Sequence, residues 1–164
     1  ATTIANKLIS DNDLTQATIY FKYYLHLALT KAGHGNDYLN WLSVWKQNLA
    51  MGMTTWAEIS DINNTRSDCH AWGASPNIEL YRIVLGIDSD APGFKKIKII
   101  PHLGTLIHAS GTIPHPNGNI SVSYEKTDAN WKVSIILPPN TPGFLIWKDK
   151  RYELKPGENS LTVK

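Results

Sequence analysis

A chain of 164 residues with 42% hydrophobic content can bury a core, and by length alone it reads as one domain. Its 16 Lys+Arg against 14 Asp+Glu leave a net charge of +2 with no basic stripe, which excludes an electrostatic nucleic-acid binder. No apolar run reaches the roughly 18 residues a membrane span needs, and the single cysteine, Cys69, allows neither an internal disulfide nor a cysteine-based zinc site.

The opening residues Ala1-Thr2-Thr3-Ile4-Ala5 lack the charged and apolar regions of a signal peptide, and a start without methionine fits either a fragment or removal of the initiator. From Leu14 to Ala32, the residues Leu14, Ala17, Tyr20, Phe21, Tyr24, Leu25, Ala28 and Leu29 share one stripe at the helical period. This predicts a helix capped by Asp11 or Asn12 and stopped by Gly33. A second helix is predicted from about Asp37 to Ala50, with Asn36 as cap, Leu39, Leu42, Trp45 and Leu49 on one side, and Gly52 following. An aperiodic segment, Gly52 to Ala74, comes next. Ser75-Pro76 then signals a third helix, Ser as N-cap and Pro at the first helical position, running to Gly86.

The period changes to two after a polar stretch, Asp88-Ser89-Asp90-Ala91-Pro92-Gly93, that marks a domain boundary. Ile97 and Ile99 alternate with lysines; Ile120, Val122 and Tyr124 with serines; Trp131, Val133, Ile135 and Leu137 follow the same rule. Asn117-Gly118 and Thr127 to Asn130 are turn signals, Pro138-Pro139 ends a strand, and Lys148-Asp149-Lys150 joins Phe144–Trp147 to Tyr152–Leu154. About seven short strands at regular spacing argue a β-sandwich. The class is therefore α+β by segments. The helices fit either part of a larger helical array or a compact α+β domain packed on one sheet face.

The aperiodic segment carries the chemistry. It concentrates Trp56, Glu58, Arg66, Asp68, His70 and Trp72 in a loop between helices, where binding residues usually sit. An indole can pack on the apolar face of a sugar while a nearby carboxylate activates water. Each residue also has a plainer reading: Glu58 as a loop carboxylate, His70 as a hydrogen-bonded structural histidine, Trp56 and Trp72 as packing, Arg66 and Asp68 as a pair that holds the loop. The other histidines, His26, His34, His102, His108 and His115, show no metal-ligand spacing, so neither a metal nor a cofactor is expected.

Several runs resemble the α-L-rhamnosidases of glycoside hydrolase family 78. They are Gly52-x-Thr54-Thr55-x-x-Glu58; Arg66-Ser67-Asp68-Cys69-His70-Ala71-Trp72-Gly73-Ala74-Ser75-Pro76; Leu85-Gly86-Ile87 with Ala91-Pro92-Gly93-Phe94; and the Asp13 to Thr18 helix start. Pro101-His102-Leu103-Gly104 and the closing Trp147 to Gly157 stretch extend the resemblance over nearly the whole chain.

The resemblance implies the last helices of an (α/α)6 barrel over residues 1–88 and a terminal antiparallel β-sandwich over 89–164. It implies inverting hydrolysis of terminal α-L-rhamnosyl residues by two carboxylates roughly 6.5–9.5 Å apart. Glu58 corresponds to the general base and His70 to a histidine that hydrogen-bonds the bound rhamnose. The family's general acid lies upstream and no position here matches it, so the chain alone is expected to be inactive. The implied partners are a rhamnose-containing oligosaccharide or glycoside and upstream domains of the same polypeptide, with no nucleic acid and no membrane. A secreted or periplasmic location follows from the substrate class. Helices taken from such an array should show an exposed apolar patch. The alternative is a non-catalytic carbohydrate-binding sandwich with attached helices, which requires coplanar aromatics exposed on residues 94–164; a third reading gives the sandwich a purely structural role.

Overall fold

The computed structural model describes residues 1–11 and 13–164, and these divide into two compact units, Ala1–Glu79 and Leu80–Lys164. The division precedes the polar stretch expected to mark it. Ile87–Ser89 forms a strand, β1, that pairs with Ile97–Ile99, β2, so residues 88–93 belong inside the second unit.

The first unit is helical. Helix α1, Thr2–Ser10, has no counterpart in the sequence reading; it buries Ala5 and leaves Ile4, Leu8 and Ile9 exposed. Helix α2 spans Ile19–Leu29 and continues in a π-type turn to His34, within which Gly33 takes φ 98° and ends the helix as predicted. Its beginning differs from the prediction. Asp11 Oδ1 accepts the Asp13 N–H at 3.0 Å, a local turn that competes with helix, and Thr18 occupies the cap position. Asn12, the other predicted cap, lies outside the described residues.

The predicted second helix is broken in two. Gly35–Trp41 winds as a 3-10 helix, Leu42 departs from helical geometry, and α3 covers Ser43–Ala50. Gly, Asn and Asp in the first piece are poor helix formers, which favours the short tight form. Helix α4 is Pro76–Glu79 and passes into a π-type turn over Leu80–Val84. The Ser75 carbonyl accepts the Glu79 N–H at 3.0 Å, but the Ser75 hydroxyl is buried without a hydrogen-bond partner, so it does not cap through its side chain. Ile19, Val44 and Trp45 form a core with Leu42 and Trp56 packed on it.

The second unit is all strand after Val84 apart from one 3-10 turn over Pro92–Phe94. Further strands are β3 (His108–His115), β4 (Gly118–Thr127), β5 (Asn130–Leu137), β6 (Gly143–Trp147), β7 (Lys150–Leu154) and β8 (Gly157–Val163). They make two four-stranded sheets, ordered β1-β2-β6-β7 and β3-β4-β5-β8. The sheets are antiparallel-rich, with one departure from the antiparallel sandwich expected: β2 pairs parallel to β6, Ile97 opposite Gly143. Alternation places Ile120, Val122, Tyr124, Val133, Ile135 and Leu137 inside, where Tyr124 meets Trp147 of the other sheet at 6.1 Å between ring centroids. The close approach of β2 and β6 requires glycine at Gly143, where a Cβ would stand 2.7 Å from the Ile97 carbonyl oxygen.

Candidate functional site

The segment between α3 and α4 has little regular structure, yet its backbone is firmly held. Trp56 to Glu58 lies beside Ser67 to His70: the Glu58 N–H donates to the Ser67 carbonyl at 2.9 Å and the His70 N–H to the Trp56 carbonyl at 2.9 Å. Asn48, buried in α3, accepts the Ala57 N–H at 2.9 Å through its side-chain oxygen. Trp45 donates its indole N–H to the Gly73 carbonyl at 2.6 Å, and Trp72 donates its own to the Glu58 carbonyl at 2.9 Å. Gly73 is required at this crossing, because a Cβ there would stand 2.9 Å from that of Trp56. Trp45 from the core and Trp72 from the surface thus fix the loop that carries Glu58 and His70.

Glu58 is buried at 6% exposure, and its carboxylate receives Arg66 in a two-point contact. Arg66 Nε donates to Oε2 at 3.2 Å and Nη2 donates to Oε1. That bond, and then the carboxylate's charge, raises the Arg66 guanidinium above its ordinary value. The expected pairing of Arg66 with Asp68 is therefore corrected. The loop folds Arg66 back onto Glu58, and Asp68 instead offers its backbone carbonyl to the Thr55 hydroxyl.

His70 is half-buried and its ring lies 4.0 Å from that of Trp72. Trp72 in turn contacts Tyr20 at 5.4 Å, and Tyr20 contacts Phe21 and Tyr24. These four aromatics are exposed and continuous across α2 and the loop. Sequence reasoning placed Tyr20, Phe21 and Tyr24 on an apolar stripe but did not connect them with the loop. Their density along five residues of α2 was the available signal.

Four of the remaining histidines have local partners. His102 Nδ1 lies 3.2 Å from the Ile83 carbonyl, with burial lowering its pKa and backbone carbonyls partly offsetting the effect. His115 Nε2 bonds the Phe94 carbonyl at 2.9 Å, His34 faces Asp37 at 3.6 Å, and His26 bonds Glu79 inside the helical unit. Among the described residues, no group of three or more His, Cys, Asp or Glu side chains is arranged to hold a metal ion. The six aromatics of residues 94–164, Phe94, Tyr124, Trp131, Phe144, Trp147 and Tyr152, are all buried or half-buried, so none of them presents a fully exposed ring.

Residues 86–162 match the family described as bacterial alpha-L-rhamnosidase C-terminal domain. An alpha-L-rhamnosidase of Alteromonas sp. (strain LOR) is 41% identical over 61 residues, 37% of this chain and 7% of its own length. A family 78 rhamnosidase of Bacillus sp. GL1 superposes with a TM-score of 0.82 at 28% identity, over 90% of this chain and 17% of its own. The rhamnosidase of Aspergillus terreus shares the fold at a TM-score of 0.84 and 22% identity, over 100% of this chain and 22% of its own. The chain thus spans less than a quarter of the length of each of these three relatives.

Proposed function

We propose, for a chain related to the family 78 α-L-rhamnosidases through the C-terminal domain at residues 86–162, that it works as the C-terminal part of an inverting α-L-rhamnosidase. In this reading the helical unit holds the last helices of an (α/α)6 barrel, the strands from β1 onward are its terminal sandwich, and the substrate is a terminal α-L-rhamnosyl residue of an oligosaccharide or glycoside. The general acid is supplied by upstream parts of the same polypeptide, and the chain alone does not turn over. Export to the periplasm or medium, where such glycosides occur, belongs to the same proposal.

Glu58 is the general base. Inversion needs a carboxylate that takes a proton from water as the water attacks the anomeric carbon. The observation that carries this assignment is the locked loop: the Glu58 backbone is held through both its N–H and its C=O, so the residue has a defined place before substrate arrives. His70 hydrogen-bonds the rhamnose ring, and Trp72 at its side offers an apolar face to the sugar.

The test is release of rhamnose from an aryl α-L-rhamnoside by the full polypeptide that carries this chain, native beside Glu58→Gln. Turnover should fall by several orders of magnitude in the variant while its circular dichroism stays native. Undiminished turnover would remove Glu58 from the mechanism.

A further inference from the structure

We infer that Arg66 is the positioning residue of the Glu58 carboxylate, an inference that rests on the reading of Glu58 as the general base. The two partners are unequal. Glu58 is 6% exposed whereas the Arg66 side chain is 81% exposed, so a buried anion is met by a cation arriving from solvent. A pair with both members on the surface would contribute little. Here one partner is desolvated, and leaving it uncompensated would be costly.

The contact is a fork: Nε to Oε2 and Nη2 to Oε1. Two donors from one plane fix the rotation of the carboxylate about its last bond, which a point charge cannot do. The backbone of Glu58 is already fixed, its N–H bonded to the Ser67 carbonyl at 2.9 Å and shared with the Thr65 hydroxyl at 3.2 Å, its carbonyl bonded to Trp72. The side-chain torsions, carboxyl rotation among them, are the freedom that Arg66 removes. A carboxylate offers about four lone-pair sites. The fork takes one on each oxygen.

The loop makes this contact locally. Thr65 donates its hydroxyl to the Ser67 carbonyl at 2.6 Å, and Asp61 caps the short turn Ile62–Asn64, so the chain reverses and returns Arg66 to Glu58. Arg66 reaches the site from solvent, so a guanidinium ion in solution has open access to the Glu58 carboxylate once the side chain is removed.

The experiment uses the full polypeptide with an aryl α-L-rhamnoside and compares Arg66→Ala, Arg66→Lys and Glu58→Gln. Arg66→Ala should lower kcat about 10- to 100-fold with little change in KM, the penalty of a misaligned base. Added guanidinium at millimolar concentration should restore part of that kcat in a saturable way, and Arg66→Lys should regain less than the native fork. A purely structural role would give no rescue by guanidinium. An Arg66→Ala enzyme as fast as or faster than native, or a loss that guanidinium fails to relieve, overturns the inference while an inactive Glu58→Gln leaves the base assignment standing. A fully active Glu58→Gln overturns both.

Discussion

The imidazole of His26 lies 3.0 Å from the carboxylate of Glu79, although the two residues are 53 apart in the chain. Neither side chain reaches solvent. The Tyr38 hydroxyl donates to the second carboxylate oxygen at 3.4 Å, and Trp41 stacks on the imidazole at 5.4 Å. Helix α2, the 3-10 segment and α4 therefore meet around one polar knot inside the helical unit.

Removing one member of such a knot leaves the others buried and unpaired. Glu79→Ala should lower the stability of the helical unit by about 1–3 kcal/mol, the range for leaving a buried hydrogen-bonding group without its partner. Glu79→Gln, which keeps an acceptor for Tyr38 or His26, should lose less. Urea unfolding followed by the fluorescence of Trp41 and Trp45 measures both. A Glu79→Ala midpoint equal to native would mean that the knot contributes nothing to the fold.

Gly86 is a second determinant, in the other unit. It takes φ 77°, and a Cβ there would collide with the backbone of Ile100 and Pro101. Its carbonyl accepts the Ile100 N–H at 2.9 Å, so the neighbouring chain cannot retreat without losing that bond. Gly86→Ala should cost about 3 kcal/mol or more, from overpacking and a left-handed conformation together. Hydrogen exchange in β4 and β5 would report it, and unchanged protection there would show that the backbone at 100–101 can give way.

How much of this was legible depends on how local the cause is. Ile120, Val122 and Tyr124 alternate with serines, and the burial follows that alternation; Gly33 ends α2 because its φ of 98° suits few other residues. The start of α2 was misread because the bond from Asp13 to Asp11 turns the chain where periodicity alone continued the helix. Long-range causes were invisible: the parallel pairing of β2 with β6, and His26 with Glu79. In the loop, the motif singled out Glu58 and His70, but residue types alone made Asp68 as good a partner for Arg66 as Glu58. Only the chain reversal at Asp61 to Asn64 decides between them.

Two buried tyrosines make stability sensitive to alkali. Burial pushes the Tyr124 hydroxyl far above its ordinary range, where it donates to the Leu85 carbonyl at 2.8 Å. Burial raises Tyr38 as well, reinforced by the charge of Glu79 and the hydrogen bond to it. The unfolded chain releases these protons near pH 10, about the ordinary tyrosine value, while the folded chain retains them. Their contribution is therefore full below about pH 10 and is lost as pH rises further, since the unfolded state then binds fewer protons. Melting temperature should fall above about pH 10, less steeply in Tyr124→Phe for the second unit. Tyrosinate absorbance that appears for these two residues without unfolding would contradict the assignment.

The last prediction separates binding from chemistry at the proposed sugar site. His70 has its N–H tied to the Trp56 carbonyl at 2.9 Å, and its ring rests 4.0 Å from that of Trp72, whose indole N–H is bonded to Glu58. The imidazole is thus referenced to the backbone of the base through one intervening side chain. If it hydrogen-bonds rhamnose in the ground state and the transition state alike, its loss weakens both equally. His70→Ala in the full polypeptide should then raise KM and lower kcat/KM about tenfold, one hydrogen bond's worth, with kcat nearly unchanged. Glu58→Gln should do the opposite, lowering kcat with little effect on KM. A His70→Ala enzyme that loses kcat and keeps its KM would move His70 from holding the sugar to supporting the loop, because a displaced Trp72 would disturb Glu58 before it disturbed binding.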